Sequence, residues 1–276
     1  MTRRKFLATA GAGVASGMGL YTWRVEPHRL EIVRRPLPIR LLPSRLIGKI
    51  LVQISDVHVG PRVADDYVLE TFRRVDALRP DIVVFTGDFI SHHAGSFDQI
   101  CNVYPHFPKG RIATVAVLGN HDYGPAWSHP DIAQQVVDTV QAFGIEVLRN
   151  GVREVEGLQI AGLDDLWADQ FRPYMPLRQI ASARAAIVLS HNPDTLDLPV
   201  WEHYEGWVLS GHTHGGQCKP PFLPPPLLPV RNRRYTSGEF ALSGNRRLYI
   251  SRGVGHLLQV RFNVRPEVTA FELRGS

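Results

Sequence analysis

Five short apolar runs, each ending in a polar or glycine-bearing turn, constrain this chain more than any other feature. They are Lys49–Ser55 (KILVQIS), Asp81–Thr86 (DIVVFT), Ala113–Leu118 (ATVAVL), Ala185–Ser190 (AAIVLS) and Gly206–Ser210 (GWVLS). Runs this short, apolar on successive residues and rich in β-branched side chains, read as strands covered on both faces. Between them the period changes. Val68, Phe72, Val75 and Leu78 share one face of a helix over 64–79, and Ile132, Val136, Val140 and Phe143 do so over 130–143, with Gly144 placed to end it. Val152–Gly162 and Leu248–Leu273 read as hairpin-forming strands separated by Gly and Pro. Strand, loop, helix, strand is the order of a layered α/β domain, and 276 residues at 44% hydrophobic content suffice for one large core.

The turn at the end of each run carries the chemistry. These turns are Asp56-Val57-His58, Gly87-Asp88, Gly119-Asn120-His121-Asp122, His191-Asn192-Pro193 and Gly211-His212-Thr213-His214. All stand at the same end of a buried strand, where open α/β sheets collect ligands. Taken singly each is weak: Asp56 can cap a turn, Gly-Asp is commoner still, and a pair of loop histidines can simply be solvated. In GNHD, however, the His and Asp have no turn role. Residues i and i+2 of an extended chain point the same way, so His212 and His214 can face one point, at which either one cation or a pair would sit.

The donors are carboxylates, imidazoles and one carboxamide, with no thiolate. This mixture suits Mn²⁺, Fe or Zn²⁺ better than Mg²⁺ or a structural zinc. Asp56, His58, Asp88, Asn120, His191, His212 and His214 are seven donors, too many for one first-row ion that keeps a position open. Two divalent ions about 3.5–4 Å apart, bridged by one carboxylate, use them all.

The series DVH, GD, GNHD, H and GHTH resembles the calcineurin-like metallophosphoesterase superfamily from residue 49 to about residue 273. The wording GNHD, LSHNPD, GHTHGGQ and SRGVG further resembles a bacterial subgroup of exported or membrane-associated phosphodiesterases, some of whose relatives hydrolyse UDP-diacylglucosamine. The resemblance implies an α/β fold, a four-layer αββα sandwich of two facing mixed sheets. It implies one metal held by Asp56, His58, Asp88 and His214 and a second by Asp88, Asn120, His191 and His212, with Asp88 bridging and a hydroxide between the ions attacking phosphorus. His121, outside this ligand set, is then placed to protonate the leaving oxygen, with Asp122 orienting its ring; the alternative is a His121 that only attracts phosphate. The implied activity is phosphodiesterase or pyrophosphatase chemistry on a lipid-linked or nucleotide-linked phosphate. A broad-specificity exported phosphodiesterase and a non-catalytic metal-binding scaffold are the alternatives.

Other residues carry less. His92 and His93 read as exposed loop histidines or as neighbours of the ligands, and Cys218 as a packed thiol or such a neighbour. Asp164, Asp165 and Trp167 in GLDDLWADQ match the subgroup without an assigned chemistry, and Trp167 reads as core. The segment CKPPFLPPPLLPVRNRRY is stiffened by proline and carries apolar Phe222, Leu223, Leu227 and Leu228 beside basic Lys219, Arg231, Arg233 and Arg234. Following the GHTH turn directly, it is expected to touch acyl chains or bilayer while its cations meet anionic headgroups, or else to pack on the domain's own sheet. Phe222, Leu223, Arg231, Arg233 and Arg234 are the substrate-contact candidates.

Charge separates the leader from the body. Residues 1–45 carry a net +7 and the remainder −2, which argues against a nucleic-acid partner and for a membrane address. Thr2-Arg3-Arg4-Lys5-Phe6-Leu7 opens a mildly apolar, acid-free stretch and resembles a twin-arginine export signal, with the export machinery as a partner. The expected division is a signal or anchor at 1–23, a basic Pro/Arg-rich connector at 24–48 and a catalytic domain at 49–276. The expected location is the membrane or its extracytoplasmic side, with anchoring on the cytoplasmic face as the alternative. Two cysteines, Cys101 and Cys218, make no disulfide framework, though one bond between them stays open.

Overall fold

The computed structural model describes residues 2–91, 96–201 and 203–276, so His92 and His93 lie outside the described residues. The elements run α1 (Arg3–Leu20), β1 (Glu31–Ile39), β2 (Ile50–Ile54), α2 (Asp65–Asp76), β3 (Ile82–Thr86), α3 (Ser96–Val103), β4 (Ala113–Val117), α4 (Pro130–Ala142), β5 (Glu146–Val147), β6 (Gly151–Val155), β7 (Leu158–Leu163), α5 (Tyr174–Gln179), β8 (Ala186–Ser190), β9 (Gly206–Ser210), β10 (Gly238–Ala241), β11 (Arg246–Ile250) and β12 (Glu267–Gly275). One six-stranded sheet has the order β1-β12-β2-β3-β4-β5 and the other β10-β11-β9-β8-β7-β6. Both are mixed: β2 to β5 are parallel with β12 antiparallel to β2, and β7, β8, β9 and β11 are parallel with antiparallel edges at β6 and β10.

Alternation along the strands explains why the runs are apolar throughout. Leu51, Ile82, Val84 and Val117 point between the sheets and meet Ile160, Ile187, Leu189, Trp207 and Leu209. Their neighbours Val52, Val83 and Phe85 point outward to Val68, Phe72 and Val75 of α2, Ile100 of α3 and Val136 and Val140 of α4. Each such side chain contributes on the order of 1.5–3 kcal/mol by leaving water. On the other sheet, Val188, Val208 and Ile250 are covered by Leu196, Trp201 and Tyr204, so the fourth layer is mostly loop with the short α5. The fold is therefore the αββα sandwich expected, with one thick and one thin outer layer. In α2, Asp65 and Asp66 open the helix and Arg73 and Arg74 close it, complementing its dipole.

Two expectations of chain organisation differ. The stretch 24–48, a connector by composition, supplies β1, which pairs in parallel with β12 along nine residues from Glu31↔Glu267 to Ile39↔Gly275. Pro36 and Pro38 disguise it; an edge strand tolerates proline because one side of its backbone has no partner. The buried Glu26 carboxylate also accepts the Val264 N–H at 2.8 Å, so the domain reaches back well before residue 49. Leu248–Leu273 is no hairpin: β11 joins one sheet and β12 the other. The α1 helix has its described side chains exposed, and no helix among the described residues is long and apolar enough to cross a membrane. Cys101 and Cys218 are both free thiols.

Candidate metal centre

The parallel strands β2, β3, β4, β8 and β9 deliver their C-terminal turns to one edge of the sandwich. Pairing continues past the strands: the Asp56 N–H donates to Gly87 O at 2.9 Å and the His58 N–H to Asp88 O at 3.1 Å, while the Gly211 N–H reaches His191 O at 3.1 Å. The sheets are tied together here by the His212 N–H, which donates to Asp56 Oδ1 at 2.9 Å. Buried Gln53 adds a second tie, donating to Thr86 Oγ1 at 3.0 Å and to Ser210 O at 2.9 Å. The approach is close enough to require glycine. A Cβ on Gly87 (φ +93°) would lie 2.5 Å from His191 Nδ1, and one on Gly211 would strike Ser55 and Asp56.

Five of the seven candidate ligands hold left-handed backbone: Asp56 (φ 53°), His58 (51°), Asp88 (62°), His212 (70°) and His214 (48°). Each such non-glycine residue costs roughly 1–3 kcal/mol and persists where its surroundings impose it, typically at functional sites. The extended geometry expected at His212 and His214 is therefore absent, and the two rings part company. Ligand atoms of Asp56, His58 and His214 lie within 4.8 Å of one another, and those of Asp88, His191 and His212 form a second such group. His58 Nε2 and His214 Nε2 are 3.0 Å apart, and His212 Nδ1 and His191 Nε2 are 3.2 Å apart. Between the groups stands Asp88 Oδ2, 3.4 Å from His58 Nε2 and 3.2 Å from His191 Nε2. That is the position of a bridging carboxylate. Its other oxygen accepts the His121 N–H at 2.9 Å.

The donors suit cations. Asn120 is 1% exposed, yet neither atom of its carboxamide has a hydrogen-bond partner among the described residues. A buried orphan of this kind costs about 1–3 kcal/mol, which coordination would remove. His191 Nδ1 lies 2.7 Å from Thr86 O and His58 Nδ1 lies 3.4 Å from Ile90 O, so each can donate from Nδ1 and turn an Nε2 lone pair to the centre. Burial lowers His58 and His212 to about 3, and burial, with the charges of His58 and Arg261, holds His214 well below its ordinary value. These rings are neutral, as ligands must be. Burial alone would raise Asp88, but His191 and His58 hold it well below the usual carboxylate range. Without a cation, His191 is raised to about 10 by Asp88 against the effect of burial, so its Nε2 must release a proton when a cation binds, and Asp56 is pushed up to about 7 by burial, with Asp88 adding to it.

His121 is 9% exposed and its ring meets His58 edge to face at 5.0 Å. Asp122 has a main-chain role as well. Its carboxylate accepts four main-chain N–H groups, from Asp88 (3.1 Å), Phe89 (2.8 Å), Ile90 (3.1 Å) and Gly119 (2.8 Å). Both of its oxygens are thereby engaged in clamping the turn that bears Asp88. Asp164 and Asp165 also work on loops: Asp164 accepts from the Tyr123 hydroxyl and from Arg149 Nε at 2.9 Å, and Asp165 Oδ1 accepts the Trp167 N–H at 2.7 Å. Trp167 is not core. It is half-buried and its ring stands 4.4 Å from that of His212, at 88°.

One residue escaped sequence reasoning altogether. Arg261 is fully buried, and its Nη2 donates to the carbonyls of Arg252 (3.0 Å), Gly253 (3.2 Å) and Gly255 (2.6 Å) and lies 3.3 Å from His214 Nδ1. An arginine between Val260 and Phe262 carries no signal by itself that its charged end will be buried. The proline-rich loop does reach the centre at one point, where Pro229 O bonds the His212 ring, and Pro225 packs on Gly216. Its candidates behave differently from one another. Phe222 and Leu223 project into solvent, Arg233 donates to the loop's own Pro225 O at 2.8 Å, the Arg231 N–H donates to Asp194 at 2.7 Å, and the Arg234 N–H to Asn232 at 3.1 Å.

Comparison with known proteins agrees with this geometry. Residues 50–216 match the family profile described as calcineurin-like phosphoesterase. The chain belongs to the calcineurin-like phosphoesterase family. It is 32% identical to the phosphodiesterase YaeI of Escherichia coli (strain K12) over 285 residues, covering 99% of both chains. It is 32% identical over 302 residues to the uncharacterized metallophosphoesterase YkuE of Bacillus subtilis (strain 168), covering 100% of this chain and 99% of that one. It is also 26% identical over 308 residues to the UDP-2,3-diacylglucosamine pyrophosphatase LpxG of Chlamydia muridarum (strain MoPn / Nigg), covering 92% of this chain and 93% of the relative. As a calcineurin-like phosphoesterase with two sets of metal donors, the chain is a hydrolase of phosphoester bonds.

Proposed function

We propose that the chain hydrolyses a phosphodiester or diphosphate P–O bond on a lipid-linked or nucleotide-linked phosphate at a membrane surface, using two divalent cations. Manganese is the first choice for this oxygen- and imidazole-rich donor set, with iron and zinc as alternatives. The observation that carries the reading is the single Asp88 oxygen between two donor groups. Asp56, His58 and His214 with Asp88 would hold one ion, and Asp88, Asn120, His191 and His212 the other. Bound there, the pair supplies Lewis acidity, lowering the pKa of water toward neutrality and offsetting charge that builds on the phosphoryl oxygens.

The remaining work falls to protein groups. His121, beside Asn120 and only partly closed off, holds a proton for the leaving oxygen, so that the departing alcohol or phosphate leaves neutralised. Asp122 positions the Asp88 turn through its four main-chain bonds. Buried walls around the ligands keep bulk water from competing with the substrate.

A membrane-bound substrate is supported by where apolar surface is left uncovered. Phe222, Leu223 and Leu227 on the proline-rich loop, Leu258, and Trp23 at the end of the leader are all exposed. These segments are stitched together: the Lys219 N–H donates to Phe262 O at 2.9 Å, the Arg261 N–H to Thr22 O at 2.9 Å, and Gln259 Nε2 to Trp23 O at 3.3 Å. Such a surface suits lipid, and the basic leader suits anionic headgroups. The relative LpxG is named for a lipid-linked diphosphate and YaeI for phosphodiester cleavage. The twin-arginine-like leader would carry the domain to the extracytoplasmic side, whereas a UDP-linked lipid calls for the cytoplasmic leaflet. Protease access from outside intact cells decides between the two faces.

The test is hydrolysis of bis(p-nitrophenyl) phosphate by manganese-loaded protein. Turnover that Asp88→Asn abolishes is expected, and an inert, fully loaded protein would leave only a scaffold. Comparing a liposome-borne diphosphate with soluble nucleotide diesters then separates a membrane enzyme from a broad-specificity one.

A further inference from the structure

Beside the second donor group stands a feature that neither metal binding nor proton transfer uses. Trp127 and Trp167 lie 4.7 Å apart at 32°, and both are half-buried, so indole surface remains open to solvent. Trp167 meets the His212 ring at 4.4 Å, and Trp127 stands 6.5 Å from His121 at 73°. Two indoles thus adjoin one candidate metal ligand and the residue that would protonate the leaving group.

The loops bearing them are held in an unusual way. Ala126 and Trp127 are consecutive non-glycine residues in the left-handed region, at φ 53° and 57°. A bulky residue rarely adopts this backbone, and here it rests part of the Trp127 ring on the outer core while leaving the remainder uncovered. The two loops are cross-linked just before the indoles: Tyr123 bonds Asp164, while Arg149 donates to Asp164 at 2.9 Å and to the Tyr123 hydroxyl at 2.9 Å. Asp165 then fixes the turn at Trp167 through two main-chain N–H groups, at 2.7 and 3.0 Å. The rings are set in place before any ligand arrives, which limits the ordering cost of binding.

We propose that Trp127 and Trp167 form a recognition platform for a planar unsaturated ring carried next to the scissile phosphate, either a nucleobase or an aryl group. The platform selects which phosphoesters dwell at the metal centre. It deepens the phosphoesterase reading above and rests on it for the position of the phosphate. Stacking on an indole is tolerant of ring identity, so both sources fit the same surface.

The experiment titrates the manganese-loaded full chain with uridine monophosphate, phenyl phosphate and glycerol phosphate, following tryptophan fluorescence and, independently, calorimetric affinity. The two ring-bearing ligands are expected to quench and to bind at least about tenfold more tightly than glycerol phosphate, an advantage that Trp127→Ala removes and Trp127→Phe largely keeps. Whichever ring binds more tightly names the source. Equal affinity for all three ligands, or an advantage that survives in both Trp127→Ala and Trp167→Ala, would overturn the platform. In parallel, the preference in kcat/KM for bis(p-nitrophenyl) phosphate over a ring-free glycerophosphodiester should fall about tenfold in Trp127→Ala. A protein that cleaves no diester would sink the proposed function, while the binding titration would still judge the platform. Thermal melts of the variants show whether each is folded, and Trp127→Phe keeps the test alive if the alanine variants are not.

Discussion

Around Asp56, His58 and His214 the wall is backbone, a buried arginine and the edge of the His121 ring, whereas around Asp88, His191 and His212 it is the Trp167 indole and the Asp122-clamped turn. Both halves draw ligands from both sheets, and both rely on left-handed turns. The difference lies behind the ligands. Arg261 closes the first half by gathering the carbonyls of 252–255, and Gly253 packs directly against Asp56. The second half is closed behind Asp88 by the Asp122 carboxylate instead, and on its His212 side it adjoins the half-buried Trp167, a group that could meet a substrate. A dinuclear centre can thus divide its labour, with one half built to hold an ion and the other to receive a leaving group.

The contrast can be broken at the point the halves share. Asp88→Asn should empty both and lower diester hydrolysis by about 10²–10³-fold or more, read as metal content and kcat together. Retention of two ions with ordinary turnover would mean Asp88 does not bridge. His121→Ala removes the proton donor but no ligand: turnover should fall by about a hundredfold or more, with both ions retained. If metal is lost instead, His121 belongs to the ligand set. Arg261→Met sharpens the contrast from the other side. Calorimetric titration should show one of two manganese sites weakened by about 10–100-fold and the other little changed, as expected when the loop packed on Asp56 loses the guanidinium that gathers its carbonyls. Equal weakening of both sites would erase the distinction between the halves.

The smallest effect concerns His256, which abuts the Arg261 segment and whose Nε2 lies 2.9 Å from Arg62 O. Burial lowers it from 6.5 to about 4. Between those values the unfolded chain binds more protons at this position than the folded one. Its contribution to stability is therefore complete above pH 6.5 and is lost as pH falls through 4. In His256→Asn the drop in Tm between pH 7 and about pH 4.5 should be smaller than in the parent, and an unchanged drop would show that the ring does not titrate this way.

Much of this was legible in the sequence because burial on both faces leaves a plain mark. The strands β2, β3, β4, β8 and β9 are apolar runs with the ligand turns directly after them, and their parallel pairing brings those turns together. β1 was not legible, since Pro36 and Pro38 sit on an edge where alternation and proline avoidance are relaxed. The split of His212 from His214 was hidden for a different reason: left-handed backbone at both residues overrides the i, i+2 rule for extended chains. Asp122 and Arg261 show a third limit. Asp122 collects three of its four main-chain N–H groups from a turn more than thirty residues away, and Arg261 collects carbonyls six to nine residues back along an irregular loop whose path no periodicity announces.

Two cations are proposed to share Asp88. Metal-free protein titrated with manganese, with bound metal counted by mass spectrometry alongside the rate of bis(p-nitrophenyl) phosphate cleavage, tests it most directly. Two ions per chain are expected, with the rate rising as the second site fills. Full activity at one bound ion per chain would contradict it.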